Sequence, residues 1–174
     1  MPSDPQLPHI APDPPRGVQR LIARLLSSRL NGALERSLPF RLIVWRLVPR
    51  VMRRGGRLPM LSFAASVLET RDVRNGKPHR RAVVYFHDAG DVILVPSKGG
   101  MPTDPHWFEN AVADPDVTFG GDAFRAEVVG DAGERERLWE IGDAYYPAYA
   151  AYRAHAARSG REIPILRLRP AQVP

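Results

Sequence analysis

An α+β fold, a small antiparallel β-barrel with flanking helices and an N-terminal amphipathic helical arm, is what this 174-residue chain predicts, and three observations carry it. Short apolar runs of strand character lie at 60–70, 80–87, 92–96, 117–120, 123–129 and 163–168, with hairpin turn signals at Asp88-Ala89-Gly90-Asp91 and Gly120-Gly121-Asp122. Helical patterns are inserted among them rather than segregated. At 44% apolar residues the chain can bury a single core.

Residues 1–15, MPSDPQLPHIAPDPP, hold six prolines and little to bury, so an extended tail is expected, and without an apolar run after a charged start it does not read as a signal peptide. Over 16–57 the pattern becomes helical. Val18, Leu21, Ile22, Leu25, Leu26, Leu30 and Leu34 recur at helical steps, with Arg20 and Arg24 on the opposite face. Pro39 opens a second such segment, with a kink expected at Pro49. No uninterrupted apolar run reaches the roughly 20 residues that span a bilayer, so this arm either lies on a membrane or covers the body.

Residues 58–174 form the expected barrel domain. Thr103 or Asp104 is positioned to cap a helix that has Pro105 at its first position and runs to about Ala113. Glu134–Arg158 reads as helical, broken or bent at Pro147. Ile163–Leu168 closes the domain as a last strand.

The chain has no cysteine, which excludes disulfides, thiolate catalysis and Cys-ligated metals. Its five histidines lack HxH or HExxH spacing, so no metal is expected. The net charge of +6 is concentrated: residues 16–57 carry eleven arginines against one acid, Glu35, while the flanking stretches are each slightly acidic. Such asymmetry points to a polyanionic surface. The regular apolar stripe favours an anionic membrane, or a partner helix, over nucleic acid, which is not expected as a partner.

Candidate site residues cluster in four places. Ser97-Lys98-Gly99-Gly100 ends a strand; glycines there can turn backbone N–H groups into an anion-binding concavity beside the Lys98 cation, or simply make a turn. On the following helix Trp107 and Asn110, three apart, could flank a flat heterocycle, or be core packing and a cap. Arg71, Arg74, Lys77, Arg80 and Arg81 are five cations within eleven residues, suited to phosphate or polycarboxylate. Tyr146, Tyr149 and Tyr152 repeat every three residues, as an aromatic seam or as hydroxyls and rings lining a cleft.

Taken in order, RRAVVYF, GDVILVPSKGG, DPHWFENAVADPDV, ERERLW, YYPAYAAY and REIPILRLRP resemble the deazaflavin-dependent nitroreductase family over about residues 66–170. The resemblance implies a split β-barrel of the FMN-binding type and a reduced 5-deazaflavin coenzyme (factor 420), with FMN the less favoured alternative. It implies an oxidoreductase acting on quinones and incidentally on nitro compounds; a non-catalytic deazaflavin or hydrophobic-ligand carrier is the alternative from another class. Carried over by position, cofactor contacts fall at Arg74, Lys77, Arg80, Val83, Tyr85, Val95, Pro96, Ser97, Lys98, His106, Trp107 and Asn110. Tyr149 is similar to a family tyrosine beside the ring and, with Ser97, is the expected proton source; Tyr146 and Tyr152 would line the substrate cleft with it. The family's glycine-arginine/lysine-serine-glycine turn is replaced by Asp72-Val73-Arg74-Asn75-Gly76, which puts an acid where the family has glycine. The expected protein is a cytoplasmic monomer or weak dimer, its arm resting on the inner face of the cell membrane.

Overall fold

The computed structural model describes residues 64–171. The expected tail at 1–15, the arm at 16–57 and the first residues of the barrel domain lie outside the described residues. Six strands, β1 (Ala64–Arg71), β2 (Pro78–Asp88), β3 (Asp91–Leu94), β4 (Asp116–Phe119), β5 (Asp122–Val128) and β6 (Leu166–Pro170), close into a barrel in the order β1-β2-β3-β6-β5-β4. Every pairing is antiparallel, including the β1–β4 contact that completes the ring. Three helices, α1 (His106–Ala113), α2 (Ala132–Tyr145) and α3 (Ala148–Ala157), flank it.

Strand alternation divides the apolar residues between two cores. Val83, Tyr85, Val92 and Leu94 join the barrel interior with Leu68, Phe119 and Leu168, and α1 adds Trp107, Phe108 and Ala111. Their neighbours Phe86 and Ile93, paired across β2 and β3, face outward onto α2 and α3 with Leu138, Trp139 and Tyr149. Phe86 stacks on Tyr145 at 5.8 Å, and α2 carries glycine at 142 where the Phe86 ring leaves only 3.3 Å for a Cβ.

The expected break at Pro147 is present, leaving two helices, and the first begins earlier than Glu134 because the Asp131 carboxylate accepts the Glu134 N–H at 2.7 Å, a side-chain cap. Two further element expectations are corrected. Neither Thr103 nor Asp104 caps α1: both side chains are engaged elsewhere, and Pro105 stands at the N-cap without a side-chain acceptor. The last strand begins at Leu166 rather than Ile163, since Ile163 and Ile165 are buried in the outer core while pairing with β3 and β5 starts one residue later. Among the described residues, no helix is long and apolar enough to cross a membrane.

Candidate functional site

After β3, Val95 and Pro96 are buried and the chain enters a tight turn in which Lys98, Gly99 and Gly100 all have positive φ, at 48°, 65° and 76°. For lysine that conformation is strained, about 1 kcal/mol or more, and persists only where the surroundings impose it. They do so from two sides. Gly100 lies against α3 so closely that a Cβ would stand 2.4 Å from the Tyr152 carbonyl oxygen, and His155 Nδ1 is 3.3 Å from the Gly99 carbonyl oxygen. The turn is closed by the Gly100 N–H donating to Ser97 O and the Met101 N–H to Lys98 O, which leaves the amides of Lys98 and Gly99 outside its own bonds. The Lys98 ammonium donates to Thr103 Oγ1 at 2.7 Å and Asp104 O at 3.0 Å, which among the described residues engages two of its three N–H groups.

That lysine leads directly to α1 and to the β1–β2 loop. His106 Nε2 meets Asp72 Oδ2 at 3.0 Å, and Asp72 Oδ1 accepts the Arg74 N–H at 2.8 Å. The hydrogen bond to Asp72, then that to Glu109, raises the His106 pKa; the same bond to His106, then the Arg74 N–H, lowers that of Asp72. The acid that replaces the family's glycine is thus occupied by a histidine. Asn110 is wholly buried, donating from Nδ2 to Thr70 Oγ1 and accepting the Val73 N–H, so it clips the loop to the barrel. Trp107, 6% exposed, packs edge-on to Phe108 in the barrel interior, where Val83 and Tyr85 also lie.

Of the five clustered cations, Arg71 pairs with Asp114 at 3.1 Å and Arg80 with Glu69. Burial lowers the Arg81 pKa. Arg74 and Lys77 are exposed, and among the described residues neither is paired with a carboxylate. Lys98 is therefore tied to the start of α1 through Asp104, and the backbone of Arg74 to His106 of α1 through Asp72.

The tyrosines sit on the other side of the turn. Tyr149, 2% exposed, packs edge-on to Trp139 and Tyr146, and burial pushes its hydroxyl pKa well up. Tyr146 and Tyr152 are half-buried with hydroxyls 3.4 Å apart. These three belong to or border the outer core, so Tyr149 and Val95 share it while Val83, Tyr85 and Trp107 belong to the inner one.

Sequence reasoning assigned nothing to Arg161. Its side chain, 7% exposed, spans Asp104 and the carbonyls of Pro96, Ser97 and Met101. No local signal marks it, because its partners lie 57 to 65 residues away. Behind it an open groove of about 540 Å³, lined by Trp139, Arg135, Arg153 and Arg161, contains none of the expected site residues.

The chain matches the F420H2-dependent quinone reductase family model over residues 40–170. A Mycobacterium tuberculosis protein provisionally named as such a reductase is 34% identical over 108 residues, covering 60% of this chain and 87% of the relative. Another from the same species, named F420H2-dependent quinone reductase, is 28% identical over 119 residues, covering 66% and 78%. The solved structure of the F420H2-dependent reductase FDR-A superposes with a TM-score of 0.52 at 25% identity, covering 60% of this chain and 93% of that one.

Proposed function

The chain belongs to the F420H2-dependent quinone reductase family, and from that membership we propose that it reduces a quinone-like acceptor, incidentally a nitroaromatic, at a membrane surface. The membership makes it an oxidoreductase that uses reduced 5-deazaflavin, factor 420. The observation that carries the quinone reading is the family match over 40–170, which includes the Lys98 turn, the basic loop and the tyrosines.

The residues present fit this coenzyme, whose phosphate and glutamyl tail is anionic. Lys98, Arg74 and Lys77 are exposed cations without carboxylate partners among the described residues, and His106 holds the neighbouring acid, Asp72. Charge-assisted contacts of this kind suit phosphate and carboxylate. Ser97 and His106 are half-buried. Arg80 would contribute only by leaving Glu69. Of the other expected contacts, Val83, Tyr85 and Trp107 are buried in the inner core, Val95 in the outer one, Pro96 is buried after β3, and Asn110 ties the β1–β2 loop to the barrel.

When bound, the reduced coenzyme supplies two electrons as a hydride, its ring carbon confining it to two-electron steps. Conversion of a quinone to the quinol takes one further proton. We assign that proton to Tyr149, Ser97 or water. Tyr146 and Tyr152 line the acceptor's side and exclude water from it. Mixing the full chain with reduced deazaflavin and menadione should oxidise the coenzyme, read from its absorbance. No oxidation above background overturns the reading, and tighter binding of FMN in a parallel titration would transfer the site to a flavin.

The membrane-surface part rests on the arginines of residues 16–57 and on the lipid solubility of quinones. The full chain should sediment with anionic vesicles and not with neutral ones, and the binding should weaken with salt.

A further inference from the structure

We infer that Arg161 is the positioning residue that sets the coenzyme-anchoring turn, an inference that rests on reading the Lys98 turn as the anchor. Its guanidinium uses every donor it has. Nε donates to Asp104 Oδ1 at 3.0 Å; one terminal nitrogen donates to Ser97 O at 3.1 Å and Met101 O at 2.8 Å; the other donates to Pro96 O and Asp104 Oδ1, both at 2.6 Å. Five N–H groups thus meet two carbonyls before or at the start of the turn, one just after it, and the carboxylate that leads into α1.

The base of this clamp is itself fixed. Gly160, at φ 72°, ends α3 in a left-handed residue; its N–H donates to Ala157 O at 3.0 Å, and the Arg161 N–H donates to Ala156 O at 3.1 Å, the paired bonds that close a helix C-terminus. Arg161 therefore projects from a rigid helix end back into the loop. Of the three consecutive residues with positive φ, Lys98 is the one that is not glycine, and its strain persists only where the surroundings impose it. Arg161 holds the loop on one side while Tyr152 and His155 hold the other, and the Lys98 ammonium stays aimed through Thr103 and Asp104. Lysine cannot substitute, because three donors on a point charge do not span four separate acceptor groups.

Arg161→Lys tests this. In the coenzyme-free protein, amide hydrogen exchange over 97–104 should accelerate about tenfold while the barrel strands exchange as in wild type. The Kd for oxidised deazaflavin, followed by its fluorescence, should rise about tenfold, and kcat/KM should fall mainly through KM. If Arg161→Lys fails to fold, Asp104→Asn, which keeps an acceptor and removes the charge, decides by the same exchange and binding readouts, with smaller shifts in the same direction. Wild-type loop exchange and wild-type Kd in the folded variant overturn the inference alone. A wild-type protein that does not bind deazaflavin overturns the reading of the site and this inference with it.

Discussion

A buried tyrosine and a half-buried histidine carry most of the chemistry that single side chains can be asked to explain. Tyr149→Phe removes the hydroxyl proposed as a proton source; turnover should fall roughly tenfold to a hundredfold, the range of a general acid partly replaced by Ser97 or water, with deazaflavin affinity unchanged. His106 makes the loop pH-sensitive. Its raised pKa means its contribution is complete below the ordinary histidine value of about 6.5 and is lost as pH rises through the raised value. The lowered pKa of Asp72 means its contribution is present above about 3.9 and is lost as pH falls through the lowered value. The tie is therefore complete between about pH 4 and 6.5 and fades in the alkaline direction. Amide exchange over 72–77, corrected for its intrinsic rate, should accelerate as pH rises past that window, and His106→Gln should remove the dependence. Neighbouring His79, which burial and then His106 hold below the ordinary histidine value, works against this, since its protonation on acidification weakens the fold.

Among the elements, two glycines with similar φ separate backbone strain from crowding. At Gly76, φ 70°, a Cβ meets nothing within 4 Å, so Gly76→Ala should cost only about 1 kcal/mol for the left-handed conformation. At Gly100, φ 76°, the same Cβ would stand 2.4 Å from a backbone oxygen of α3. Gly100→Ala should therefore cost more than twice as much by thermal melting and weaken coenzyme binding, because the turn must leave the helix. The chain itself made the presence of this turn legible: Lys-Gly-Gly after an apolar run signals positive φ. It could not disclose that Gly100 is needed for close approach to a helix some fifty residues away, nor that Thr103 and Asp104 are drawn from capping α1 by Lys98 and Arg161. Local hairpins such as β2–β3 and β4–β5 were readable for the converse reason, as their turns and partners are adjacent in sequence.

At the level of the whole molecule, closure depends on pairings that no local pattern announces, β1 with β4 and β3 with β6. Where β3 and β6 meet, buried Arg167 lies 2.8 Å from Glu134, 3.2 Å from Asp91 and 3.7 Å from Asp88, which Arg137 also grips with both terminal nitrogens. Arg167→Met removes the partner of Glu134 and the nearer partner of Asp91, while Asp88 keeps Arg137, and should cost roughly 3 kcal/mol in urea unfolding, whereas Arg169→Met, on an exposed pair with Glu127, should cost under about 1. The β2–β3 hairpin has a wider role. With Tyr85 and Leu94 on one face and Phe86 and Ile93 on the other, it is a party wall common to two rooms. Neither room can be emptied while the other stands, so heating should give a single calorimetric peak in which the van't Hoff and measured enthalpies agree. A one-residue insertion there would turn both rooms inside out.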